Sequence, residues 1–168
     1  MNNTATTDPK TNALQSLHEL PRLIERMHRR FLDVVRLELG RHGINDISPV
    51  QVMMMSNIGT EEISVRDLIE RGYYLGSNAS YNLKQLVECG YVDRQASARD
   101  KRSARLKLSA KGHAALAKLT ALESQWSEPL LKQASDFADA DTTVKLLRRL
   151  ERRWSDAVRY AGGGEEEI

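Results

Sequence analysis

SNASYNLKQLVECGYVDRQASARDKRSARLKLS, residues 77–109, joins a helix-patterned segment to two strand-patterned ones through a basic loop. At 100° per residue, Ala79, Leu83, Leu86 and Val87 share one helix face. Ser77 is the expected cap and Gly90 the expected stop. The other side carries Asn78, Tyr81 and Gln85, flanked by Asn82 and Lys84, where most exposed helix faces are rich in Glu and Lys. Residues 91–96 read as a strand. Residues 105–109 alternate as a second, with Leu106 and Leu108 inward. From Arg94 to Lys107 there are six basic residues and one acidic one, so the ribbon has a basic tip.

Upstream, Ser48, Pro49 and Gln51 give three helix-start signals in four residues: an N-cap, a proline at N1 and a capping-box glutamine at N3. Val50, Met53, Met54 and Ile58 are the expected inner face, with Gly59 the end. A short strand at Glu62 and Ile63 follows. Ser64 then caps a helix with Asp67 at N3, which Gly72 ends. The order is helix, short strand, helix, turn, helix, strand, basic loop, strand, which is that of a winged helix-turn-helix. The expected fold class is therefore mainly α with a small β-wing, flanked by N- and C-terminal dimerisation helices.

Those flanking helices are legible as stripes. Leu17, Ile24 and Phe31 repeat every seven residues, with Leu20, Met27 and Val34 at the other seam position. Leu23, Leu37 and Leu39 widen the face. Pro21 suits a first helical turn, so the main helix is expected to begin there after a shorter piece, and Gly43 to stop it. Downstream, a helix starts near Ala110 and carries Leu116, Leu119, Leu122 and Trp126. Pro129 breaks it, and a last helix runs from about Asp139 with Val144, Leu147, Leu150, Trp154 and Val158 on one side. The expected layout is a disordered tail at 1–12, a dimerisation helix at 13–47, a DNA-binding lobe at 48–109, dimerisation helices at 110–161 and a flexible acidic tail at 162–168. A chain of 168 residues cannot bury both stripes by itself, which predicts a homodimer.

The net charge of +2 is unevenly distributed. Residues 65–109 carry a surplus of four positive charges, while the segments on either side are each net −1. A basic centre in a neutral scaffold fits a polyanion-binding surface. On the helix, Asn78, Tyr81 and Gln85 are placed to read base edges, with Ser80 and Asn82 beside them. Lys84, Arg94, Arg99, Lys101 and Arg105 are placed to hold phosphates, and an Arg on the ribbon tip suits a narrow minor groove. The expected partner is double-stranded operator DNA. A two-fold dimer would read an inverted repeat with half-sites ~10 bp apart.

The stretches Leu86-Val87-Glu88-Cys89-Gly90-Tyr91-Val92, Asp100-Lys101-Arg102 and Leu106-Lys107-Leu108-Ser109-Ala110-Lys111-Gly112 resemble the MarR-type transcriptional regulators, over about residues 17–160. The resemblance implies that Asp100 orients Arg102 in the minor groove, and that the terminal helices of two copies interleave. It also implies a pocket for a small apolar or aromatic effector between arms and lobe, near Met53 and Met54. Soft methionine side chains suit such a pocket and suit an ordinary core equally. Many members place Thr-Arg where this chain has Ser80-Tyr81. Residues 71–78 and 80–84 resemble a smaller bacterial subgroup associated with control of L,D-transpeptidase genes, which remodel peptidoglycan, and with stress tolerance.

Other function classes find little support. No nucleophile–base pair, carboxylate pair or phosphate-cradling glycine loop stands out, so no enzyme and no cofactor are expected. His18, His28, His42 and His113 lack metal-ligand spacing. Cys89 is expected to be an inert, partly exposed thiol. No apolar run of 18 residues exists, residues 1–10 lack a secretory pattern, and the single cysteine fits a reducing compartment. No membrane association and a cytoplasmic location are therefore expected. The reading from a different class is a winged helix that binds protein and lacks specific DNA affinity.

Overall fold

A computed structural model describes residues 8–96 and 104–161. The elements are α1 (Pro9–Arg41), α2 (Pro49–Ile58), β1 (Ile63–Ser64), α3 (Val65–Gly72), α4 (Gly76–Glu88), β2 (Val92–Ala96), β3 (Ala104–Leu108), α5 (Ala110–Ser127), a 3-10 turn (Glu128–Leu130) and α6 (Ala134–Ala161). The fold is mainly helical with a three-stranded antiparallel sheet in the order β1-β3-β2. The chain divides into two compact units after Leu119.

The capping chemistry in the first unit is local and explicit. Ser48 Oγ accepts from the Gln51 amide while Gln51 Oε1 accepts from the Ser48 amide at 2.7 Å. Ser64 and Asp67 repeat this reciprocal pair at α3. At the other ends, α1 and α4 close with Gly43 (φ +67°) and Gly90 (φ +73°). The following amides of Ile44 and Tyr91 return to the carbonyls of Leu39 and Leu86. α4 is capped two residues earlier than expected. Its N-cap is Leu75, with no side-chain cap, so Ser77 lies inside the first turn and does not cap it.

α2 is the hub, in contact with α1, α3, α4 and β3. Its buried apolar residues are Val52, Met54, Met55 and Ile58, whereas Val50 is exposed and Met53 half-buried. The expected face is thus rotated. A helix covered by four neighbours has no single inner side, and period alone does not locate its stripe. The core continues through Leu68, Ala79, Leu83, Leu86, Tyr91, Val92, Leu106 and Leu108. Each full burial of a large apolar side chain is worth about 1.5–3 kcal/mol.

α1 starts at Pro9, capped by Asp8, and passes through Pro21 without a break. The helix therefore covers residues 9–12, which the sequence suggested as tail. Pro21 is exposed, so water can take the carbonyl that its ring leaves unbonded. Along α1, Leu17, Leu20, Ile24, Phe31 and Val34 are half-buried and Met27 is 59% exposed.

In the second unit the 3-10 turn holds Pro129, and the chain breaks there as its missing amide requires. α6 starts at Ala134, ahead of the expected Asp139. Asp136 Oδ2 accepts from the amides of Lys132 and Gln133 and supplies the start signal. None of the 28 residues of α6 is buried, and Val144, Trp154 and Val158 are among its exposed apolar groups.

Gly112 fixes how close the first turn of α5 comes to the wing. A Cβ there would lie 2.3 Å from the Tyr91 carbonyl oxygen. Helix propensity alone favours alanine by about 0.8–1 kcal/mol. We expect the contact to prevail: Gly112→Ala should lower the urea midpoint of unfolding, and a raised midpoint would contradict this packing.

Candidate nucleic-acid interface

α4 is held on one side only. Ala79, Leu83 and Leu86 are at most 3% exposed, and Val87 packs partly against the same core. That burial turns Asn78, Ser80, Tyr81 and Lys84 to the outside, Tyr81 at 66% exposure. Asn82 and Gln85 are half-buried at the flanks. Asn82 Nδ2 donates to the Asn78 carbonyl at 2.9 Å. Gln85 Nε2 donates to Glu88 Oε2 at 3.2 Å, and Lys84 Nζ lies 3.7 Å from Glu88 Oε1. Glu88 therefore holds two of the candidate contact residues and competes with any phosphate or base for them. Its role was absent from the sequence reading, although its i,i+3 and i,i+4 spacing to Gln85 and Lys84 was a usable signal.

The ribbon has two different faces. Val92, Arg94 and Ala96 pair with Leu108, Leu106 and Ala104, while Asp93 and Gln95 pair with Lys107 and Arg105. Side chains alternate along a strand, so Arg94 and Arg105 project from opposite faces and do not converge on one phosphate. Arg105 lies 3.6 Å from Glu62, and Glu62, Asp93, Gln95 and Lys107 share its surroundings. Arg94 is exposed. Arg99, Asp100, Lys101 and Arg102 lie outside the described residues.

A second cluster, invisible in the sequence, ties α4 to its neighbours. Asp46, in the α1–α2 loop, accepts from the Tyr91 hydroxyl at 2.7 Å and from Lys111 Nζ at 2.7 Å. Lys111 also donates to the Cys89 carbonyl at 2.9 Å and sits 4.0 Å over the Tyr91 ring. Cys89 Sγ donates to the Asp46 carbonyl at 3.4 Å, which makes this half-buried thiol part of the tie. Asp46 thus joins the root of the wing and the start of α5 through its carboxylate and the end of α4 through its carbonyl. An open depression of about 480 Å³ beside it is lined by Gly43, Ile44, Asn45, Asp46, Tyr91 and Lys111, and includes neither Met53 nor Met54. Met54 lies in the core. Among the described residues no group of His, Cys, Asp and Glu forms a metal site. No helix there is long and apolar enough to cross a membrane.

These features together define a winged helix-turn-helix: α2, α3 and α4 packed on a β-ribbon, with α4 presenting a polar, aromatic and basic side. Comparison with known proteins makes the class specific. Residues 45–103 match the MarR family. The exopolysaccharide II synthesis transcriptional activator ExpG of Rhizobium meliloti is 44% identical over 149 residues, which span 89% of this chain and 77% of that one. The chain belongs to the MarR family of transcriptional regulators. Its fold is similar to that of a MarR transcriptional regulator from Methanosarcina mazei, with a TM-score of 0.65 and 19% identity over 85% of this chain and 99% of that one. It is also similar to Streptococcus pneumoniae FabT in complex with DNA, with a TM-score of 0.65 and 18% identity over 80% and 99% of the two chains. A mutant MarR from E. coli complexed with operator DNA gives a TM-score of 0.60 at 21% identity over 79% and 95%.

The Asp46 cluster sets a pH dependence. The Lys111 ammonium, joined by the Tyr91 hydroxyl, holds the Asp46 carboxyl below its ordinary pKa. A carboxyl lowered on folding stabilises the folded state above its ordinary value, near ~4, and that stability is lost as pH falls through the lower folded value. Asp46→Asn should reduce stability at pH 7 and make the decline below about pH 4 shallower than in the wild type. Equal slopes for the two proteins in acid denaturation would contradict the assignment.

Proposed function

We propose that the protein is a homodimeric regulator that binds an inverted-repeat operator by inserting α4 of each copy into the major groove. The observation that carries this reading is the one-sided burial of α4, which leaves Asn78, Tyr81 and Lys84 facing out, while Arg94 is exposed on the wing. No acidic residue occurs from Arg71 to Val87, so nothing on α4 before Glu88 repels a phosphate backbone. Operator DNA in the E. coli relative's complex and DNA in the FabT complex support the same partner here. Asn78, Tyr81 and Gln85 are assigned to base edges, with Ser80 and Asn82 beside them in the interface; Lys84, Arg94, Arg99, Lys101 and Arg105 to phosphates; and Arg102, oriented by Asp100, to the minor groove. The pairing of Arg105 with Glu62 makes its share smaller than that of Arg94.

The unburied α6 and the half-buried stripe of α1 support the dimer, with residues 13–47 and 110–161, which flank the lobe at 48–109 in sequence, as its arms. A small apolar or aromatic effector is part of the proposal, and the half-buried Met53 is where it would touch the lobe. The relative's role in exopolysaccharide II synthesis favours target genes for an extracellular polysaccharide; the likeness of residues 71–78 and 80–84 to the L,D-transpeptidase-controlling subgroup favours cell-wall genes instead.

The division of labour is testable by titrating variants against a cognate duplex and a scrambled one at several salt concentrations. Gln85→Ala should weaken the cognate alone, by about 1–3 kcal/mol. Arg94→Ala should weaken both alike and reduce the salt slope by about one. Equal loss on both duplexes for Gln85→Ala would invert the assignment. A wild-type protein with no salt-sensitive duplex affinity would favour the protein-binding winged helix.

A further inference from the structure

The turn between α3 and α4 carries apolar side chains that the core does not use. Leu75 is 72% exposed and Tyr73 66% exposed. Tyr73 also has a left-handed backbone, φ +51°, a conformation that glycine or asparagine adopts more readily. Its neighbour Tyr74 shows the ordinary alternative: that ring packs on the core, and its hydroxyl accepts from Asn57 Nδ2 at 2.8 Å. Leu75 is the N-cap of α4, and no side chain caps the helix there. The exposed leucine therefore sits at the leading end of the helix assigned to the groove.

A leucine forms no hydrogen bond, so it discriminates bases only through apolar contact. The C5-methyl of thymine is the apolar group on the major-groove edge of a base pair. Leu75 lies one turn before Asn78 and Ala79, at the edge where the outward side of α4 meets its buried side, and the surrounding acid-free stretch from Arg71 to Val87 suits a polyanion better than a basic or neutral protein surface. Resting on the DNA-binding reading above, we propose that Leu75 is a specificity-determining residue that reads a thymine methyl in each half-site.

The test uses the full chain and a duplex that it selects from a random pool. Each thymine is replaced in turn by deoxyuridine, which removes the methyl and leaves pairing intact. At one thymine per half-site the wild type should bind about fourfold more weakly to the substituted duplex, the effect of one buried methyl. Leu75→Ala should bind the thymine duplex more weakly and no longer distinguish thymine from deoxyuridine there. Its melting temperature should equal that of the wild type, as expected for so exposed a side chain. Indifference of the wild type to every replacement, or full discrimination retained by Leu75→Ala, would overturn the proposal while leaving DNA binding intact. Failure to select any duplex would overturn the DNA-binding reading, and this one with it.

Discussion

Ala79, Leu83 and Leu86 bury one side of α4 against α2 and the root of the wing. Every outward residue of α4 takes its direction from that burial. Rotating α4 by one residue, about 100°, would turn Asn78 and Gln85 inward in one sense, or Ser80 and Lys84 in the other, and would expose a leucine either way. The far end of the helix is held as well. The Schellman bonds at Gly90 and the Asp46 cluster around Cys89, Tyr91 and Lys111 fix where α4 stops and where β2 begins. Packing sets the helix's rotation, and the polar cluster sets its end.

Electrostatics then act on a rigid frame. α4 and the turn before it present no carboxylate until Glu88, and Glu88 already engages Lys84 and Gln85. DNA binding would exchange these exposed contacts for phosphate or base contacts. The cost is small, because exposed i,i+4 pairs are worth only about 0.3–0.5 kcal/mol. The wing is divided in the same way. Arg94 lies on the face that continues from Val92, whereas Arg105 shares its face with Gln95 and pairs with Glu62. A basic count along the ribbon treats the two arginines as equivalent, and the pleat separates them.

What the sequence revealed was what depends on near neighbours. The capping boxes at Ser48 and Ser64, the glycine stops at Gly43 and Gly90, and the break at Pro129 involve residues within a few positions of one another. Each is present in the structure. The element order followed, and with it the winged-helix class. The misreadings arose where tertiary context decides. α2 is covered by four elements, so its stripe could not be located by period. α4 is capped at Leu75 although Ser77 is the better capping residue. Pro21 is tolerated inside a long helix because it faces water. Asp46, Tyr91 and Lys111 are too far apart in sequence for any local pattern to join them, and Gly112 matters only because the Tyr91 carbonyl lies beside it.

The central claim is that two copies of α4 enter successive major grooves of one duplex. Dimethyl sulfate footprinting of the full chain on a selected operator tests it most directly, because the reagent methylates guanine N7 in the major groove and adenine N3 in the minor groove. The account predicts two patches of guanine N7 protection related by the operator dyad, with centres ~10 bp apart, one helical turn. A single patch, or protection confined to adenine N3, would contradict it.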